Sequence, residues 1–149
     1  RIPAQSKKGS VVNILFLCVA NSARSQLAEG LAKHLFGGKV LVESAGSEPS
    51  GKVQPWAVLG LKENGIGISH NTSKSIDSLS PTFLASLDYV ITLCNEEVCP
   101  SIVTKGKRLH WPIPDPAAAL EADKPPAFRA ARNDIEEKLR SFGRELGLL

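Results

Sequence analysis

Methionine is absent from this sequence, and cysteine, tyrosine and tryptophan are rare, with three, one and two residues among 149. Three cysteines are too few, and odd in number, for the disulfide framework of a small secreted domain. We therefore expect reduced thiols and a cytoplasmic protein. Because no initiator methionine is present, we expect either a trimmed start or a longer parent chain.

The sequence also lacks a dominant charge and a long hydrophobic run. Lys and Arg number 18 against 15 Asp and Glu, which gives a net charge of +3. Since no dense basic stripe with interleaved aromatics occurs, we expect no nucleic-acid partner. The longest apolar run, Val11 to Ala20, is interrupted by Asn13 and is shorter than the roughly 20 residues that span a bilayer, so we expect no membrane partner.

The chain is predicted to form one domain over residues 11–149, preceded by a flexible tail or linker at residues 1–10. The apolar run Val11–Leu17 is typical of a strand that is buried on both faces. Further strands are predicted at Lys39–Ser44, Asp88–Leu93 and Lys107–Trp111, and helices at Ala23–Phe36, Gln54–Asn64 and Pro125–Leu148. The stripe predicted for the last helix comprises Phe128, Ile135, Leu139, Phe142 and Leu146. This alternation predicts an α/β fold with a four-stranded parallel sheet flanked by helices on both faces.

Cys18 is the candidate nucleophile, because it opens the loop between the first strand and the first helix. Successive N–H groups of such a loop, together with the helix N-terminus, favour an anion and also a thiolate. Arg24 can bind two oxygens of a tetrahedral oxyanion, and Ser25 can donate to the sulfur. The alternative is a buried structural cysteine followed by an ordinary helix cap. The predicted substrate-binding residues are Val19, Ala20, Asn21, Ser22, Ala23, Arg24 and Ser25.

Cys94 directly follows the third predicted strand, so its thiol lies near Cys18 if the first and third strands are neighbours. Cys99 follows five residues later. A disulfide requires Cα atoms about 4.4–6.8 Å apart, whereas five residues of straight helix rise about 7.5 Å. A Cys94–Cys99 bond therefore requires a loop or local unwinding. The alternatives are inert core cysteines or zinc, and zinc is not expected because the histidines lack paired spacing.

Asp115 follows the fourth predicted strand, within the stretch Trp111 to Pro116, and so belongs to the same sheet edge as the cysteines. A carboxyl group at this edge can protonate a leaving oxygen. An Asp-Pro pair is also ordinary turn chemistry, so a turn residue is an equally good interpretation of the motif.

With these motifs the sequence resembles the arsenate reductases that are built on the low-molecular-weight protein tyrosine phosphatase fold. The resembling segments cover nearly the whole chain and comprise Cys18–Gln26, Glu43–Gly46, Ser69–Asp77, Val90–Cys94 and His110–Pro116. The phosphatases share the loop and the Asp-Pro pair, but they typically continue with tyrosine where this chain has Ala117. They also do not require the cysteine pair, so the resemblance favours the reductase.

The resemblance implies that Cys18 attacks arsenate bound by the loop and Arg24, while Asp115 protonates the departing oxygen. Cys94 then attacks Cys18, which releases arsenite, and Cys99 transfers the disulfide to the surface, where thioredoxin reduces it. No cofactor is bound, and phosphate and sulfate are expected to act as mimics of arsenate. The Cys94–Cys99 spacing is shorter than in the best-known three-cysteine enzymes, so glutaredoxin or a low-molecular-weight thiol stays an alternative reductant.

Some family members hold potassium near the loop through an asparagine, a serine and an acidic residue. Asn21 and Ser44 match that pattern, but Lys74 stands where the acid would be, and its ammonium can replace the cation. We therefore predict no bound metal. Two other functions stay open: a tyrosine phosphatase, which has no need of Cys94, and an oxyanion-sensing module of a larger protein.

Overall fold

Four parallel strands form the centre of the fold, which we describe from a computed structural model for residues 11–95 and 99–149. The strands are β1 (Val12–Cys18), β2 (Val40–Gly46), β3 (Tyr89–Thr92) and β4 (Lys107–His110). They are arranged in the order β2-β1-β3-β4, and every neighbouring pair is parallel. The predicted parallel sheet is confirmed, whereas the predicted tail at residues 1–10 lies outside the described residues.

The central strand β1 is buried on both faces, which explains its continuous apolar run. Ile14 and Phe16 point into one core cluster, and Leu15 and Leu17 point into a second cluster on the opposite face. All four side chains are fully buried. Because side chains alternate along a strand, a strand with a core on each side cannot show the apolar–polar alternation of a half-exposed one.

Helices cover both faces of the sheet, as predicted. The helices are α1 (Arg24–Phe36), α2 (Pro55–Lys62), α3 (Pro81–Ala85) and α4 (Lys124–Leu146). α1, α2 and α4 pack together over the larger cluster, whereas α3 packs on the smaller one through Phe83. Within the described residues, no helix has the length and apolar character of a membrane span.

Two sequence-based predictions need correction, and one helix was missed. The predicted second strand ended at Ser44, but β2 continues to Gly46, which pairs with Cys18. The helix α3 was not predicted, because five residues are too few to establish a helical period. Leu146 was placed in the buried stripe of the last helix, but it is 38% exposed. After α4 the chain turns back through Gly147 at φ 72°, and the buried residue is Leu148.

Candidate active site

The loop between β1 and α1 begins at Cys18, which is a free thiol with 2% of its surface exposed. β2 passes so close to this loop that a Cβ atom on Gly46 would collide with the carbonyl oxygen of Val19. Only glycine permits this approach, so the end of β2 fixes the position of the first loop residues.

The outer side of the loop is bound to the segment that follows β2. Three loop carbonyl oxygens accept main-chain hydrogen bonds there: Val19 from Glu48 at 2.9 Å, Ala20 from Ser50 at 3.1 Å and Ser22 from Gln54 at 2.8 Å. Across a trans peptide the next N–H points away from the carbonyl oxygen. The N–H groups that follow these carbonyls therefore face the inner side of the loop, which is the polarity of an anion site.

Asn21 determines the shape of the loop, because its backbone lies in the left-handed region at φ 49°. Its Nδ2 donates to Ser25 Oγ at 2.7 Å and to Ser44 Oγ at 3.0 Å. Its Oδ1 accepts from the backbone N–H of Lys74 at 2.9 Å and from Gln26 Nε2 at 3.1 Å. Both amide hydrogens and the amide oxygen are thus used, so the orientation of the side chain is fixed.

Ser25 connects the fixed side chain of Asn21 to the nucleophile. Its Oγ lies 2.9 Å from Cys18 Sγ. Because Ser25 Oγ already accepts from Asn21, its own hydrogen is available to the sulfur, and a thiolate can only accept. The network therefore presents a donor to the ionised form of Cys18.

Arg24 is the first residue of α1, and only 4% of its surface is exposed. Its Nη1 donates to the carbonyl oxygens of Ile113 at 3.0 Å and Leu93 at 3.4 Å. Its Nη2 lies 3.9 Å from Asp115 Oδ2. The guanidinium is thus positioned by the chain segments that follow β3 and β4.

Asp115 is a turn residue, as one interpretation of its motif predicted, and its role as a proton donor stays a prediction. Its Oδ1 accepts from the backbone N–H of Ala117 at 3.0 Å, which caps a short 3₁₀ turn at Pro116–Ala118. Its Oδ2 faces Arg24, and 40% of the side chain is exposed. The turn therefore holds a partly exposed carboxyl group close to Arg24.

The cysteines meet at the same sheet edge, because β1 and β3 are neighbours. The backbone N–H of Leu93 donates to the carbonyl oxygen of Leu17 at 3.0 Å, so Cys94 follows directly beside the start of the loop. Cys94 is disulfide-bonded to Cys99, with their Cα atoms 5.5 Å apart. Cys94 and Asn95 lie outside any helix, so the spacing of a straight helix does not apply here. Within residues 11–95 and 99–149, no three Cys, His, Asp or Glu side chains form a metal site.

Glu29 is a buried member of the site that sequence analysis did not single out. It is 4% exposed, and it accepts hydrogen bonds from Ser44 Oγ and Lys33 Nζ, both at 2.6 Å. Lys74 Nζ lies 3.9 Å from Glu29 and 3.7 Å from Glu43. The sequence does contain a signal for this residue, because it is acidic but lies among apolar and small residues of α1.

The fold and the anion loop are typical of one protein family, and comparison with known sequences identifies that family. Residues 13–147 match the low molecular weight phosphotyrosine protein phosphatase family, and the chain belongs to it. Similar proteins within this family include arsenate reductases. The arsenate reductase of Halalkalibacterium halodurans is 42% identical over 133 residues, which cover 87% of this chain and 93% of that protein.

Solved structures show the same similarity. A structure described as an arsenate reductase in the phosphate binding state has a TM-score of 0.75 at 31% identity, and the match covers 91% of this chain and 98% of that one. A thioredoxin-dependent arsenate reductase of Corynebacterium glutamicum has a TM-score of 0.73 at 28% identity, over 97% of this chain and 66% of that one. The resemblance inferred from the sequence motifs is confirmed.

Proposed function

We propose that this chain reduces arsenate to arsenite, with Cys18 as the nucleophile and a disulfide relay through Cys94 and Cys99. One observation carries the proposal: a free thiol in an anion loop lies at the sheet edge that also holds a Cys94–Cys99 disulfide. A phosphatase has no use for this pair. The similarity to named arsenate reductases supports the same conclusion.

In the first step arsenate binds to the inward N–H groups of residues 19–25 and to Arg24. The Cys18 thiolate attacks arsenic, a sulfur–arsenic bond forms, and one arsenic–oxygen bond breaks. Asp115 gives its proton to the departing oxygen, which leaves as water. Phosphate and sulfate have the same tetrahedral shape and bind as unreactive mimics.

In the second step the Cys94 thiolate attacks Cys18 Sγ. The electron pair of the sulfur–arsenic bond passes to arsenic, so arsenic(V) becomes arsenic(III), and the two thiols supply the two electrons. The Cys99 thiolate then attacks Cys94 and releases Cys18 as a thiolate. The resulting state has a free Cys18 and a Cys94–Cys99 bond, which is the arrangement in this structure.

An external thiol reductant must then reduce the Cys94–Cys99 disulfide. We assign this role to a protein of the thioredoxin class, which the thioredoxin-dependent relative supports. Glutaredoxin and a low-molecular-weight thiol are the competing reductants. Arsenate-dependent NADPH oxidation, with each reducing system supplied separately, identifies the one that sustains turnover.

The test of the relay compares Cys94→Ser with Cys99→Ser. We expect Cys94→Ser to lose arsenate reduction yet to retain slow hydrolysis of a small aryl phosphate, because hydrolysis needs only Cys18, the anion loop and Asp115. Cys99→Ser is expected to complete one turnover and to stop as the Cys18–Cys94 disulfide. A single-turnover arsenite assay with disulfide mapping measures both outcomes.

Cys18→Ser is the reference for loss of the nucleophile, and it should show neither activity. Full multiple-turnover reduction by Cys94→Ser would overturn the relay mechanism. Full turnover by Cys99→Ser with thioredoxin would leave the reductase standing and remove Cys99 from it.

A further inference from the structure

In the segment that follows Cys99, every second side chain points to solvent, and one of these side chains is a fully exposed valine. Between residues 101 and 107 exposed and half-buried positions alternate, as in an extended strand. Val103 is 101% exposed, the highest value among the exposed large hydrophobic residues. The other outward side chains are Ser101, Lys105 and Lys107.

The exposure of Val103 is enforced by its neighbours. Ile102 packs against the core cluster that contains Leu15 and Leu17. The carbonyl oxygen of Ile102 accepts a hydrogen bond from Arg108 Nη2, and the N–H of Gly106 donates to Thr104 Oγ1 at 3.0 Å. Because Ile102 points inward, the pleat turns Val103 to solvent, and the side chain cannot reach the core without breaking these contacts.

Val103 also lies within reach of the sulfur that a reductant must attack. Cys94 is 1% exposed, whereas Cys99 is half-buried, so a protein thiol reaches the disulfide at Cys99. Four residues of extended chain span at most about 14 Å. A weak redox interface covers up to about 600 Å² on each partner, which equals a disc of about 14 Å radius. A disc centred on Cys99 therefore extends to Val103.

We propose that Ser101 and Val103 form a docking surface for the protein reductant, a dithiol protein of the thioredoxin class. Val103 offers that protein an apolar contact beside the disulfide. The proposal rests on the proposed function, because the disulfide that it serves is the end of the relay. Burial of this apolar contact stabilises the encounter complex in which the reductant thiol reaches Cys99.

Reduction at this surface is a thiol–disulfide exchange in two steps. The reductant thiolate attacks Cys99 Sγ, the Cys94–Cys99 bond breaks, and Cys94 leaves as a thiolate that takes up a proton. The second thiol of the reductant then attacks the mixed disulfide and releases Cys99, so the reductant leaves oxidised.

The experiment follows reduction of the oxidised protein in the absence of arsenate, by alkylating samples over time and counting free thiols by mass. Bacterial thioredoxin and dithiothreitol are compared as reductants. We expect Val103→Ser to slow thioredoxin about fivefold, since one apolar contact is lost. Val103→Asp should slow it further. The rate with dithiothreitol should be the same as for the parent chain, because a small dithiol needs no docking surface.

Leu59→Ser is the matched control. Leu59 is also an exposed aliphatic residue, at 47%, but it belongs to α2 on the other face of the sheet. It should leave both rates unchanged. Equal thioredoxin rates for Val103→Ser and Leu59→Ser would overturn the proposal, as would equal slowing of Val103→Ser with both reductants. Because no arsenate is present, failure of the reductase function would appear only in a separate arsenite assay.

Discussion

At the scale of single residues, Asn21 connects the backbone of the anion loop to the nucleophile. A left-handed backbone costs most residues about 1–2 kcal/mol. Four side-chain hydrogen bonds to Ser25, Ser44, Gln26 and Lys74 offset that cost and orient the amide. The same bonds leave the Ser25 hydrogen for the Cys18 sulfur, so the shape of the loop and the hydrogen bonding of the nucleophile depend on one side chain.

Asn21→Ala and Asn21→Gly separate these two contributions. Both variants lose the amide, but glycine accepts positive φ without strain. We expect both to lose at least about tenfold in kcat/KM for arsenate, because Ser25 is no longer oriented. The melting temperature should fall further for alanine than for glycine. Full activity of the glycine variant would show that the amide only stabilises the backbone.

Lys74 is the second residue on which the loop depends, because its backbone N–H donates to Asn21 Oδ1 and its side chain faces two carboxylates behind the loop. Its ammonium lies near the buried Glu29, which Ser44 also contacts. We expect Lys74→Met to weaken sulfate binding by about tenfold, as a charged partner of a buried carboxylate is lost. Potassium chloride should restore part of this affinity, whereas tetramethylammonium chloride at equal ionic strength should not.

Lys105→Met is the control for Lys74→Met, because it removes an equal charge from an exposed position away from Glu29. Sulfate titrations of both variants in the two salts are the measurement. An unchanged sulfate affinity of Lys74→Met in the absence of potassium would exclude a positioning role for the ammonium.

At the scale of elements, α2 and α4 are joined by an ion-pair cluster at Glu63. Arg129 makes two-pronged contact with its carboxylate, and Arg132 donates to it at 2.7 Å and to the Gly60 carbonyl oxygen at 2.8 Å. The hydrogen bonds from Arg129 and then Arg132 lower the pKa of Glu63 from 4.5 to about 2. Folding therefore favours the ionised carboxylate.

This pKa shift predicts an acid-dependent contribution to stability. It is fully present above pH 4.5 and is lost as the pH falls towards 2. We expect Glu63→Gln to lower the free energy of unfolding at pH 7, and the difference from the parent chain to shrink between pH 4.5 and 2. Urea denaturation at several pH values measures this, with the exposed Glu121→Gln as control. A difference that stays constant across that range would contradict the ion-pair explanation.

The sequence predicted the strands and helices whose apolar residues form a clear pattern, and it did not predict those that lack such a pattern. The buried strand β1 was evident from its apolar run, and α1 from leucines at four-residue spacing that end before Gly37. The short helix α3 has only a serine cap and a proline, which many turns share. The burial of Leu148 in place of Leu146 arises from a main-chain reversal after Gly147, which side-chain periodicity does not encode.

At the scale of the whole molecule, the parallel sheet collects the chemistry at one edge. Cys18 is the last residue of β1, Cys94 lies two residues after β3 and Asp115 lies five residues after β4. Residues up to 97 positions apart in sequence therefore lie at one edge of the sheet. The predicted alternation of strands and helices indicated that these residues would share this edge. It could not predict the polar network at Asn21, because those partners come from three segments whose contacts depend on loop paths. The Cys94–Cys99 pairing could not be predicted either, because no periodic pattern encodes it.

The free Cys18 beside a closed Cys94–Cys99 bond has a consequence for the order in which substrates add. The loop, the Ser25 contact and the Arg24 position are all complete while the disulfide is still oxidised. Arsenate can therefore bind to the oxidised protein before the reductant has reduced the disulfide. Both substrates, arsenate and the reductant, then bind to the oxidised protein before a product is released. Double-reciprocal plots of initial rate against arsenate, at several thioredoxin concentrations, are expected to intersect. Parallel lines would mean that the oxidised protein rejects arsenate, and that reduction must first reshape the loop.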